Sequence, residues 1–162
     1  MNMNGNDIER IIKYPMKVHI WGCISKAGIK RIHIFDGIMH SEKYIEILGR
    51  NLFDIFANTN LIFQDDNDSK HRSELTTLWK NEYEITSIDW PSNSPDLNPI
   101  ENVWSILKNK VSKVKVNTKE EFIKCIENKW NEISQETINN IIDSMPKRIK
   151  EVINNEGDSI NY

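Results

Sequence analysis

The sequence predicts an α/β fold that begins with a β-hairpin, continues through a helix and further short strands, and ends in helices. Two strand patterns, at 18–24 and 30–35, flank a Lys-Ala-Gly turn at 26–28. Residues 99–113 carry one apolar stripe at helical spacing. Because the first two strands form a hairpin while the later ones are separated by helices, we expect a mixed sheet flanked by helices.

The middle of the chain alternates between the two periodicities. Apolar positions over 41–57 lie mostly on one helical face, and Ser41 is the expected N-cap. The apolar run at 60–66 predicts a short strand that ends in carboxylates. A short helix over 71–80 and a strand over 84–90 follow, which places a strand on each side of a helix.

The C-terminal part predicts helices with recognisable start signals. Asn98 can cap the helix at 99–113, with Pro99 at its first position. The sequence Thr-Lys-Glu-Glu at 118–121 predicts a capping box for the next helix. A last helical segment starts near Gln135 and is broken near Pro146.

Composition sets limits on function. The chain has 162 residues, of which 38% are apolar and 28% charged, as in ordinary globular proteins. No apolar run approaches the length of a membrane span. The net charge of −3 argues mildly against a self-sufficient DNA-binding domain, because such domains draw their affinity from phosphate contacts. Cys23 and Cys125 form no CxxC pair, which favours two buried thiols in a reducing compartment.

Two carboxylates are candidates for chemistry. Asp66 ends an apolar strand and Glu101 lies in the first turn of a helix, with 34 residues between them. Acids that converge from separate elements can hold the divalent ions used in phosphoryl transfer on DNA. Structural roles are the commoner explanation for each residue alone: Glu101 suits a capping acid after Asn98, and Asp66 suits a loop acid.

Two longer segments carry a family resemblance. Residues 63–71 (FQDDNDSKH) and 89–104 (DWPSNSPDLNPIENVW) resemble the blocks around the second and third catalytic acids of Tc/mariner DNA transposases. The spacing and the final Glu resemble the Tc branch of that family. The resemblance covers nearly the whole chain from about Lys17, and it implies catalytic and metal-binding roles for Asp66 and Glu101. Asn67 after the second of two adjacent aspartates assigns the role to Asp66 rather than Asp65.

The resemblance implies further properties of the protein. These are an RNase H-like fold, cut-and-paste transposition with DNA cleavage and strand transfer, and two Mg²⁺ or Mn²⁺ ions in the intact family enzyme. Double-stranded DNA at transposon ends and target sites is the implied partner, the nucleus is the implied location, and homodimerisation stays open. We expect a polar segment at 1–16 and a catalytic domain at 17–162.

The family's first catalytic Asp and first strand have no recognisable counterpart between Met1 and Val18. We therefore expect an N-terminally truncated domain that does not cleave or join DNA alone. The alternative is a catalytically dead or re-used RNase H-like remnant that at most binds DNA or a protein.

Three further features stay open at the level of sequence. The basic run Lys108, Lys110, Lys113 and Lys115 suits either phosphate contact or a solvated helix face. His71 matches a family position, although a lone His near a helix start more often has a structural role. Asp36 follows a strand, but in family terms it follows the wrong one.

Overall fold

A computed structural model describes residues 16–56, 61–90, 94 and 97–154. Its centre is the predicted hairpin, formed by β1 (His19–Ile24) and β2 (Lys30–Phe35) in antiparallel register. The turn closes with a 2.8 Å hydrogen bond from the Ser25 amide to the Ile29 carbonyl. Gly28 adopts a left-handed φ of +88° there, a conformation that glycine takes without a side-chain clash.

Helices cover both faces of this hairpin. On one face, α1 (Ser41–Phe56) packs buried residues such as Tyr44 and Leu48 against Trp21 and Cys23 of β1. Alternate residues of the same strand, Ile20 and Ile24, face the opposite side. This period of two lets one hairpin take part in two apolar clusters.

The second cluster is built by the C-terminal helices α3 (Pro99–Val111), α4 (Lys119–Asn131) and α5 (Gln135–Asp143). A further helix, α6 (Met145–Asn154), follows after Ser144. The predicted break near Pro146 is confirmed, since Pro146 lies in the first turn of α6. The predicted start of α3 is also confirmed: Asn98 accepts a hydrogen bond from the Ile100 amide, and Pro99 opens the helix.

The predicted capping box before α4 is confirmed in modified form. The Thr118 hydroxyl accepts from the Glu121 amide at 3.1 Å. The Glu121 carboxylate reaches back to the Asn117 amide at 2.8 Å, one residue before the cap. Two amides at this helix start are therefore satisfied by side chains.

Two predicted helix starts need correction. Ser41 is the first residue of α1, not its N-cap, because the His40 carbonyl already accepts from the Tyr44 amide at 2.9 Å. The helix predicted over 71–80 is α2 (Glu74–Glu82). It begins later because Ser73 is its N-cap, with the Ser73 hydroxyl accepting from the Thr76 amide at 3.2 Å.

The strands predicted at 60–66 and 84–90 do not form within the described residues. These segments meet only in an isolated parallel bridge between Phe63 and Ser87, and the sheet that the described residues form is the antiparallel hairpin of β1 and β2 rather than the expected mixed sheet. Glu84 has a left-handed φ of 52°, which ends the turn after α2 and prevents a strand from starting there. Asn60 lies outside the described residues. Among the residues that are described, no helix is long and apolar enough to cross a membrane.

Candidate active site

A cleft of about 560 Å³ lies between β1 and the segment 61–66. Residues of α1 and the first turn of α3 complete its walls. Asp66 and Glu101 both line this cleft. The structure therefore brings into one cleft the two acids that have 34 residues between them in the sequence. Whether they share a metal ion stays a prediction.

The two adjacent aspartates have different surroundings. The Asp65 side chain is 5% exposed, and its Oδ2 accepts from Lys80 Nζ at 2.5 Å and from the Tyr44 hydroxyl at 3.0 Å. The Asp66 side chain is 59% exposed. Asp65 is already neutralised by a buried cation, whereas Asp66 is open to a ligand from the cleft. This difference supports the assignment of the metal-binding role to Asp66.

Asp66 is held by its own loop. Its Oδ1 accepts from the Asp68 amide at 3.0 Å and lies 2.6 Å from Nδ1 of His71. His71 lies in the turn before α2, and its ring stacks on Tyr44 with centroids 4.0 Å apart. The sequence favoured a structural role for His71 and did not reveal this contact. The spacing of five residues between an Asp and a His within a turn-forming segment was the available signal.

Glu101 is the third residue of α3, the position of a capping acid. Its amide donates to the Asn98 carbonyl at 3.1 Å. In contrast to Glu121, which is the third residue of α4, the Glu101 carboxylate accepts no hydrogen bond from any residue in the described ranges. The negative charge of Glu101 therefore interacts favourably with the dipole of α3, while both carboxylate oxygens stay available to a ligand.

The packing of α3 on β1 fixes the position of Glu101. Gly22 faces Trp104, and a Cβ atom at position 22 would lie 2.6 Å from Cη2 of the indole. Trp104 in turn packs on Trp130 with ring centroids 5.3 Å apart. Because position 22 has no side chain, α3 approaches β1 closely there, and this places the start of α3 at the cleft.

The donor set suits a hard divalent cation. Mg²⁺ is commonly bound by one or two protein carboxylates together with water molecules, and Asp66 and Glu101 supply oxygens of that kind. No group of three His, Cys, Asp or Glu residues that could hold a metal ion occurs within the described part of the chain. Asp36 is 78% exposed and is paired with Lys119 at 2.6 Å.

The predicted DNA-binding lysines lie away from this cleft. Lys108, Lys113 and Lys115 are exposed, whereas Lys110 is 3.4 Å from the Glu132 carboxylate. The lysines that line the cleft are Lys26 and Lys70, which the sequence analysis did not single out. Each is paired with an acid, Lys26 with Asp143 and Lys70 with Asp68.

Two groups in this region have shifted proton affinities. Burial raises the pKa of the Cys23 thiol to about 11, so the cleft holds a neutral thiol at pH 7. Burial, reinforced by the charge of Asp65, raises the pKa of Tyr44 well above its ordinary value. Tyr44 is therefore a stable hydrogen-bond donor to Asp65.

The cleft thus brings two carboxylates from separate elements together on an α/β scaffold. The family model described as DDE superfamily endonuclease matches residues 6–123, and the chain belongs to this family.

The curated relatives are Tc-type transposases, which confirms the resemblance to the Tc/mariner family. The chain is 34% identical to the Tcb2 transposase of Caenorhabditis briggsae over 149 residues, which are 90% of this chain and 54% of that protein. It is 32% identical to the Tc1 transposase of Caenorhabditis elegans, with the same coverage of 90% and 54%. The chain thus spans about half the length of the curated relatives it matches.

Solved structures show the same fold. The catalytic domain of Mos1 mariner transposase has a TM-score of 0.78 at 14% identity, over 89% of this chain and 76% of that chain. The Mos1 strand transfer complex has a TM-score of 0.81 at 12% identity, over 99% of this chain and 50% of that chain. At such low identity the likeness shows the fold alone.

Proposed function

We propose that Asp66 and Glu101 belong to the metal site of a DNA transposase, and that this chain is the part of a cut-and-paste transposase that carries two of its catalytic acids. The observation that carries this proposal is the presence of both acids in one cleft. Their membership of the family's catalytic set is supported by the match to DDE superfamily endonucleases. On this proposal, 17–162 is an RNase H-like catalytic domain.

Asp66 and Glu101 would hold Mg²⁺ or Mn²⁺ through their carboxylate oxygens. Bound divalent ions in such sites stabilise the charges that develop on the attacking and leaving oxygens of the phosphodiester. The chain's own contribution is to fix the two acids on separate elements, Asp66 on the loop after Phe63 and Glu101 on α3. Structures of the Mos1 catalytic domain with Mg and with Mn support this choice of ion.

The proposed partner is double-stranded DNA, both at transposon ends and at the target. The Tc-type relatives and the solved Mos1 paired-end complex with a left transposon end support this partner. That complex also supports a homodimer as the working assembly. A protein that acts on chromosomal DNA would work in the nucleus.

Metal binding by this chain is the direct test. Mn²⁺ is titrated into the protein, and free Mn²⁺ is measured by electron paramagnetic resonance. We expect Asp66→Asn and Glu101→Gln each to weaken binding by at least about tenfold, because each removes an anionic ligand. The controls Asp36→Asn and Glu120→Gln remove exposed acids at other places and should bind like the wild type.

The same four variants test the reaction. In a nicking assay with Mg²⁺ or Mn²⁺, the wild-type chain alone should neither nick nor join DNA. Activity that is lost in Asp66→Asn and Glu101→Gln and kept in both controls would overturn that expectation. Wild-type Mn²⁺ affinity in Asp66→Asn or Glu101→Gln would overturn the assignment of the site. A wild-type chain that binds DNA but no Mn²⁺ would favour a non-catalytic remnant.

A further inference from the structure

His71 is placed to control the orientation of Asp66. Its Nδ1 lies 2.6 Å from Oδ1 of Asp66, within hydrogen-bond distance. An ionised carboxylate only accepts hydrogen bonds, so Nδ1 must carry the hydrogen in this contact. The Asp68 amide donates to the same oxygen at 3.0 Å. Oδ2 of Asp66 takes no hydrogen bond from any residue that the structure describes.

The ring of His71 is itself held in place by a buried aromatic residue. It stacks on Tyr44 of α1, which is only 1% exposed. The Tyr44 hydroxyl donates to Asp65, which is also bound by the buried Lys80. The exposed carboxylate of Asp66 is therefore connected, through His71, to a buried network of hydrogen bonds that restricts its motion.

The loop that carries His71 is also constrained. The His71 amide donates to the Asp68 carbonyl at 2.9 Å. The Thr76 hydroxyl, which is fully buried, donates to the Lys70 carbonyl at 2.7 Å. Both bonds hold the turn between Asp66 and α2 in one shape, so the imidazole meets Asp66 without a large loss of side-chain freedom.

We infer that His71 is a positioning residue for the metal ligand Asp66. It occupies Oδ1 and limits rotation of the carboxylate, which leaves Oδ2 for the cation. This inference rests on the proposed metal-binding role of Asp66. Outer-sphere partners of this kind orient metal ligands, and their loss typically weakens metal affinity by about 10–100-fold.

Three substitutions separate the hydrogen bond from the packing of the ring. His71→Phe keeps a ring that can stack on Tyr44 but removes the donor. His71→Asn loses the ring but keeps an N–H group attached to Cγ, as Nδ1 is in histidine. His71→Gln has one more CH₂ group than His71→Asn, carries its N–H group one bond further out and is the matched control. Each is assayed by Mn²⁺ titration and by thermal unfolding of the metal-free chain.

We expect the two measurements to rank the variants in opposite order. His71→Phe should unfold close to the wild-type temperature yet bind Mn²⁺ about 10–100-fold more weakly. His71→Asn should unfold at a lower temperature yet bind Mn²⁺ within a few-fold of the wild type, and more tightly than His71→Gln. A purely structural histidine would give affinities that follow the thermal stabilities, and that result would overturn the inference.

A double-mutant cycle tests the coupling to Asp66. If His71 acts through Asp66, His71→Phe should not weaken Mn²⁺ binding further in an Asp66→Asn background. Additive losses would contradict the inference. If Asp66→Asn and Glu101→Gln bind Mn²⁺ like the wild type, the proposed metal site itself fails. If they lose binding while His71→Phe keeps it, only the positioning role fails.

Discussion

At the scale of single residues, the neighbours Asp65 and Asp66 show how burial assigns different roles to one residue type. Asp65 is buried and binds Lys80 and Tyr44, whereas Asp66 is exposed at the cleft. Oδ1 of Asp65 is buried without a hydrogen-bond partner among the described residues. The lysine is therefore the main compensation for a buried negative charge, and its ammonium also lies 5.1 Å from the Phe63 ring centroid.

Removal of this lysine should be costly. We expect Lys80→Met to lower the free energy of unfolding by about 3–5 kcal/mol, because it leaves a buried carboxylate without its cation. The matched control is Lys129→Met, which breaks an exposed pair with Glu132 and should cost less than about 1 kcal/mol. Urea denaturation measures both. Equal losses in the two variants would show that the Asp65 charge is compensated in another way.

The glycine of β1 gives a second prediction at this scale. Gly22→Ala should lower the free energy of unfolding by about 1–3 kcal/mol, because the new methyl group would overlap the indole of Trp104. Gly49→Ala is the control, since its Cβ would meet Trp79 at an ordinary 3.6 Å and improve helix propensity. We therefore expect Gly49→Ala to be neutral or stabilising. Chemical denaturation that finds Gly22→Ala equally harmless would contradict the close packing of α3 on β1.

At the scale of secondary-structure elements, the sequence predicts those parts whose signals are local. The hairpin and the starts of α3, α4 and α5 depend on turn residues and on caps within a few positions, and the structure has them where expected. The start of α2 was predicted too early, and the two strands predicted around it are reduced to an isolated bridge. Their limits depend on Ser73 as a cap and on the left-handed Glu84, which apolar periodicity does not reveal.

A lysine of the hairpin stabilises the end of a distant helix, a contact that local sequence patterns do not reveal. Lys30 of β2 donates to the carbonyls of Trp130, Asn131 and Ile133, at 3.2, 3.0 and 2.7 Å, and so caps the C-terminal end of α4. Lys30→Met should cost about 1.5–3 kcal/mol, because charged hydrogen bonds to helix-end carbonyls are lost. Lys26→Met, which breaks an exposed pair with Asp143, serves as the comparison in the same denaturation assay. Similar losses in both would argue against this cap.

At the scale of the whole molecule, the site was only partly predictable. Asp66 and Glu101 could be named because they lie within long family motifs. The supporting residues Tyr44, His71 and Lys80 could not, because the sequence does not show that they meet around Asp65 and Asp66. Burial and long-range contacts, which only the fold supplies, decide which polar residues support the proposed metal ligands.

At this scale, the distribution of charge over the whole chain limits its affinity for DNA. The net charge is −3, and several lysines are already paired with acids, among them Lys26, Lys110 and Lys119. Such pairs reduce the positive potential that attracts phosphates. We therefore expect the chain to bind non-specific duplex DNA at the weak end of the usual range, with a Kd on the order of 10⁻⁴ M near physiological salt.

The salt dependence of that binding identifies the lysines that contact phosphates. If the exposed Lys108 or Lys113 makes such a contact, its replacement by Gln should reduce the slope of log K against log salt by about 1. Lys110→Gln should change the slope less, because Lys110 is paired with Glu132, and Lys150→Gln on α6 provides an exposed control. Fluorescence anisotropy with a labelled duplex gives each slope. If Lys108→Gln and Lys113→Gln behave like Lys150→Gln, this basic run is a solvated helix face, and DNA must be held elsewhere.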